Sequence, residues 1–129
     1  MTKLNTENVI GISALLVHAA KIDEIYSEHE KDLIKNFIKS YLNNDTISET
    51  LKKAEEIENN SNQLLNFTNI IKKESMDFKK DIIEHLWRVV ISDKTVDQYE
   101  SNLIRRICGL IYFPDKECAE IKLNLLNLK

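Results

Sequence analysis

The sequence predicts an all-α fold: a single-domain helical bundle of about seven helices with an internal pseudo-twofold repeat. Scarcity of turn formers is the first reason. Only 2 Gly and 1 Pro occur in 129 residues. A turn-rich β-sandwich or barrel needs many positive-φ positions, which Gly usually supplies. The second reason is period: apolar residues recur at helical spacing along the chain, and no segment shows a convincing period-two alternation. The third is length, which suits one domain spanning residues 1–129.

Seven segments follow in order. The first runs from about Thr6 to Ile22 and carries Ile12, Leu15, Leu16, Ala19 and Ala20 at helical spacing. The second runs from Ser27 to about Leu42, with Leu33, Ile34, Phe37, Ile38, Tyr41 and Leu42 as its stripe, and Asn43-Asn44-Asp45 ends it. Thr46-Ile47-Ser48-Glu49 opens a third, more polar helix as a capping box, which fades at Asn59-Asn60. The fourth spans about Asn62 to Lys73, built on Leu64, Phe67 and Ile71. The fifth, about Met76 to Ile91, lines up Phe78, Ile82, Leu86 and Val89. The sixth runs from Asp97 to about Tyr112, with Leu103, Ile104, Ile107, Cys108 and Ile111. Pro114 suits the first turn of a seventh, which buries Cys118, Ile121, Leu125 and Leu128.

Composition excludes several function classes. Net charge is −3 and the sequence pI is about 5.6. No basic stripe is present, so no nucleic-acid partner is expected. The longest apolar stretch, Ala14 to Ala20, is too short for membrane insertion. The first residues have no basic region feeding an apolar one, so no secretion signal is expected and cytoplasmic residence is the simplest reading. Cys108 and Cys118 make no disulfide framework and read as small buried hydrophobes. His18, His29 and His85 form no metal-ligand spacing; His18 and His85 could meet in the core. Trp87 reads as a core anchor. No Gly-rich phosphate loop or Gly-x-Ser-x-Gly elbow exists, so no enzyme is expected. Gly11 and Gly109 fall inside helical runs, where each is expected to permit close helix packing.

A repeat organises the chain. Residues 16–34 and 86–104 superpose on a shift of 70. Leu16 falls on Leu86, Asp23 on Asp93, Ser27 on Asp97, Glu30 on Glu100, Leu33 on Leu103 and Ile34 on Ile104. The repeat units span about residues 10–42 and 76–112. Each is an apolar helix, an Asp, a short loop and a capped apolar helix. Ser27-x-x-Glu30 and Asp97-x-x-Glu100 read as capping boxes. Tyr26 and Val96 precede the caps, but Lys31 and Ser101 are poor apolar partners for a staple. Asp23 and Asp93 close their helices, where the macrodipole disfavours an acid. They either accept loop N–H groups or hold a cation.

Asp23, Glu30, Asp93, Asp97 and Glu100 thus form the candidate metal set. Twofold symmetry could gather them at one end of the bundle, where a hard divalent cation such as Ca²⁺ takes oxygen ligands. The other reading makes the same residues helix caps, in a protein-interaction or oligomerisation module whose partner is another protein or a second copy of the chain. The loop is no EF-hand. From Asp23, the third, sixth and twelfth positions are Ile25, Glu28 and Ile34.

The second unit resembles the tellurite-resistance TerB-like family. The resemblance rests on Leu86-Trp87, Asp93, Asp97, Glu100 and Leu103-Ile104-Arg105-Arg106. The first unit adds Asp23, Ser27 and Glu30, and the similarity covers roughly residues 10–125. It implies an all-helical bundle with internal twofold symmetry and a non-enzymatic role in stress response or tellurite resistance. It also implies a clustered acidic surface suspected of metal binding. The family's turn glycines are replaced here by Glu24 and Lys94.

Overall fold

The computed structural model describes residues 6–21, 26–42, 46–60, 65–91 and 98–127. Among them stand helices α1 (Thr6–Ala20), α2 (Glu28–Tyr41), α3 (Ile47–Asn60), α4 (Leu65–Lys72), α5 (Met76–Ile91), α6 (Gln98–Leu110) and α7 (Asp115–Asn127). No strand occurs among the described residues. Order and type follow the sequence periodicity, and the ends move by a few residues.

α1 is the centre of the bundle. It packs on α2, α3, α4, α5 and α6. Every residue from Val9 to Val17 is buried, so the helix is enclosed all round rather than along one stripe. This enclosure has one polar exception. Ser13 is fully buried and its Oγ has no hydrogen-bond partner. α4 comes close at Gly11, where an added Cβ would lie 2.5 Å from Ile70 Cδ1. Gly11 therefore serves close packing as expected. Gly109 does not: it is exposed and nothing lies within 4 Å of an added Cβ.

α5 is the second buried helix, contributing Ile82, Ile83, Leu86, Trp87, Val89, Val90 and Ile91 to a core that runs from Val9 to Ile121. Ser75 caps its start by accepting the Phe78 N–H at 3.2 Å. Between α2 and α5 lies an aromatic layer. Phe37 meets Tyr41 at 5.1 Å and His85 at 5.2 Å between ring centroids, and Tyr41 meets Phe78 at 5.6 Å. Tyr41 OH donates to Asp81 Oδ2 at 2.6 Å, and His85 Nδ1–H to the Asp81 carbonyl at 2.8 Å. His18 and His85 thus have different partners. His18 faces α3 and bonds Glu58, while His85 is engaged at the α2–α5 contact.

α6 ends in a Schellman turn. The Phe113 N–H reaches the Cys108 carbonyl at 2.8 Å, and the Tyr112 N–H the Gly109 carbonyl at 3.4 Å. Tyr112 takes the left-handed position, φ 62°. Pro114 then sits one residue ahead of α7, its carbonyl accepting the Cys118 N–H at 3.1 Å. α1 packs on α2, α5 packs on α6, and α1 packs on α5. Residues 22–25 and 92–97, on which a pseudo-twofold relation would be judged, lie outside the described residues. No helix among the described residues is long and apolar enough to cross a membrane.

Candidate functional site

Of the expected acidic set, Glu30 alone has a described side chain. Asp23, Asp93 and Asp97 lie outside the described residues, as do Glu24, Lys94 and the side chain of Glu100. Glu30 closes the capping box that the sequence predicts. Ser27 is the N-cap of α2 in extended conformation (φ −80°, ψ 163°). Its Oγ accepts the Glu30 N–H at 3.2 Å, and its own N–H donates to Glu30 Oε1 at 2.8 Å. Ser27 Oγ–H also donates to Glu30 Oε1, at 3.1 Å. Glu30 is fully buried. A carboxylate used in this way fixes the first turn of α2 and presents no open face to solvent.

The surroundings of that cap carry more than acids. Tyr26 precedes it, and its OH donates to Glu55 Oε2 of α3 at 2.6 Å. Burial and the Glu55 bond push the Tyr26 hydroxyl far above its ordinary value. Lys31 Nζ stands 5.0 Å from the Tyr26 ring centroid, so a cation–π contact fills the position of a hydrophobic staple. At the end of α1, Lys21 Nζ donates to Glu58 Oε1 at 2.7 Å and His18 Nδ1–H to Oε2 at 3.1 Å. Burial raises the Glu58 carboxyl, but these two bonds and charges outweigh it and hold it below the usual value. An open pocket of about 460 Å³ lies here, lined among others by Lys21, Lys31, Lys52, Glu55 and Glu56. Its cations outnumber its acids, which does not make a cage for a hard cation. Among the described residues no group of three or more His, Cys, Asp or Glu could hold a metal ion.

A second constellation sits at the other hairpin, where α5, α6 and α7 meet. Cys108 and Cys118 are both free and buried, as their apolar settings suggest. They are read separately in the sequence, but in the structure the two thiols lie close enough to act on each other's ionisation. Trp87 is the expected core anchor, 2 % exposed, and its Nε1–H donates to Cys118 Sγ at 3.4 Å. The neighbouring Cys108 thiol is the main reason the Cys118 thiol is lowered to about 7. Burial and the charge of Asp115 oppose it, and Trp87 and the charge of Arg105 assist. Cys108 is pushed up, chiefly by the same neighbour and by burial. The signal in the sequence is positional: Cys108 lies near the end of the sixth segment's apolar stripe and Cys118 opens that of α7. One tight turn folds the two stripes onto each other.

The model of the family described as "Tellurite resistance protein TerB" matches residues 9–123. No curated protein and no solved structure matches the chain significantly. The matched span takes in both helical hairpins, the capping box at Ser27–Glu30 and the thiol pair at Cys108–Cys118. Over nearly its whole length, then, the chain belongs to the TerB tellurite-resistance family.

Proposed function

We propose that the protein is a non-catalytic domain serving tellurite resistance or a related stress response. In this reading it binds a divalent cation, Ca²⁺ in the first instance, through Asp23, Asp93, Asp97 and Glu100. Family membership over residues 9–123 is the observation that carries the role. The Ser27–Glu30 box supports the location, because it anchors the start of α2 directly after residues 22–25. Glu30 then braces the first turn of α2 rather than acting as a ligand. The test is thermal unfolding of the full chain in chelator and in millimolar Ca²⁺. A ligand present at about a hundred times its Kd adds about 2.7 kcal/mol, read as a rise of several degrees in Tm. The Asp23→Asn, Asp93→Asn double variant must lose that rise. If wild type shows no rise, or the variant keeps it, the cation site is absent.

A second reading is favoured by the enclosure of Glu30. If the other acids are caps of the same kind, the domain binds a protein partner or a second copy of itself and no metal. Mass measured by light scattering across a hundredfold concentration range separates a self-associating chain from a monomer.

A further inference from the structure

The thiol pair at the α5–α6–α7 junction plays no part in the proposed role, and it is built unlike an ordinary core contact. We propose that Cys118 is a nucleophilic thiol that is oxidised by small hydroperoxides, with Cys108 as its resolving partner in an intramolecular disulfide.

Four features of the structure carry the assignment. The Trp87 indole N–H donates to Cys118 Sγ at 3.4 Å. A donor aimed at the sulfur favours its anionic form, which is the nucleophile. Cys118 is only 2 % exposed, yet it lines a pocket of about 380 Å³, so a small molecule reaches it without unfolding the helix. The pocket wall carries Arg105, Lys116 and Lys122 against one acid, Asp115. At the sulfur itself Asp115 and Arg105 act in opposite senses, while the excess of cations on the wall disfavours a metal cation and favours an anionic leaving group. Lys122 is also held in place, with its Nζ 5.2 Å from the Trp87 ring centroid and 3.4 Å from Ser101 Oγ. Last, the second thiol is near enough to the first to act on its ionisation.

The chemistry balances with the hydroperoxide as the only oxidant. The Cys118 thiolate attacks the distal peroxide oxygen. An S–O bond forms and the O–O bond breaks. The sulfur loses two electrons and an alkoxide or hydroxide leaves, taking a proton from solvent. Cys118 is then a sulfenic acid and no longer carries negative charge. The charge that kept the proton on Cys108 is gone, so Cys108 can deprotonate and attack. The S–S bond forms, the S–O bond breaks, and water departs. The sum is two thiols and one hydroperoxide giving one disulfide, one alcohol (or water) and one water.

Hydrogen peroxide with the fully reduced, chelator-treated full chain tests this, followed by alkylation of remaining thiols and intact mass. The wild type is expected to lose two hydrogens and to leave no alkylatable thiol. The rate should exceed that of free cysteine at the same pH by about tenfold or more, and rise with pH through about 7. Cys108→Ser should stop at a sulfenic acid that a dimedone probe traps on Cys118. Cys118→Ser should show neither disulfide nor adduct. Brief oxidation of wild type with the probe present gives the same assignment without any variant, since the adduct is mapped to one cysteine. Oxidation no faster than free cysteine, a probe adduct on Cys108, or disulfide formed only between molecules would each overturn the proposal.

Discussion

Trp87 on α5 and Cys118 on α7 are joined by an indole N–H to sulfur hydrogen bond of 3.4 Å inside the core. That bond ties the tryptophan to the ionisation of the thiol. Trp87→Phe keeps most of the ring volume and removes the donor, so Cys118 should titrate higher than its present value of about 7. The thiolate absorbance near 240 nm, followed against pH, reads the change. An unmoved titration would mean that Trp87 merely packs there.

The same pair makes stability depend on pH in a defined direction. Cys118 lies below its ordinary value of 9.0 when folded, so between about 7 and 9 the unfolded chain binds more protons there. Stability therefore rises with pH across that window, on the order of 1–2 kcal/mol. Above about 9 the trend reverses, because folded Cys108 keeps a proton that the unfolded thiol releases. Urea unfolding of wild type and Cys118→Ala at pH 6.5, 8 and 9.5 should differ in slope accordingly. Parallel pH profiles would contradict it.

Glu58 controls the acidic side. It is the common acceptor of Lys21 and His18 and is held below its ordinary value of 4.5 when folded. A lowered carboxylate contributes stability that is present above 4.5 and is lost as the pH falls through its folded value. Lys21 is 40 % exposed, so the pair is screened and its contribution is modest, about 1 kcal/mol. Glu58→Gln should cost that amount at pH 7 in urea unfolding and nothing measurable at pH 2.

Much of this architecture is legible in the sequence, and particular residues show where legibility stops. The capping box Ser27–Glu30 and the burial of Trp87 follow from local spacing, because both are decided within a few turns of chain. The closing of α1 on all sides was not readable from its stripe, since an apolar run looks alike in a half-buried and a fully buried helix. The nearness of Cys108 to Cys118 was not readable either. It depends on how tightly the turn at Tyr112 folds α6 against α7. Tyr26–Lys31 is a third case, where a charge-bearing residue fills a place that the staple rule reserves for apolar ones. The acidic set remains legible as spacing alone, with only Glu30 placed.

Ser13 provides a test of α1's enclosure. Its hydroxyl is buried without a partner, at a place where desolvation is not offset. Ser13→Ala removes the stranded group and improves helix propensity, so stability should rise by about 1 kcal/mol in urea unfolding. A loss of stability instead would mean that a water molecule satisfies the hydroxyl.

Gly109 and Tyr112 sit in one turn with their roles reversed. The left-handed position, which favours glycine, holds Tyr112 at φ 62°, while the glycine lies three residues earlier in α6 with open space around it. A bulky residue in that conformation costs roughly 1 kcal/mol, and a helical glycine up to about 1 kcal/mol relative to alanine. Tyr112 is 66 % exposed, so its replacement removes little buried surface; its contact with Lys72, whose Nζ lies 4.9 Å from the ring centroid, is a surface one. Losing that contact costs about 0.5 kcal/mol, less than the strain relieved. Tyr112→Gly should therefore raise Tm slightly, and Gly109→Ala should raise it independently. The double variant tests whether the two gains add. The residues share the Tyr112 N–H to Gly109 carbonyl bond, but neither substitution removes a backbone group, so near-additivity is expected. A fall in Tm for Tyr112→Gly would show that the ring over Lys72 holds the turn more firmly than the backbone strain opposes it.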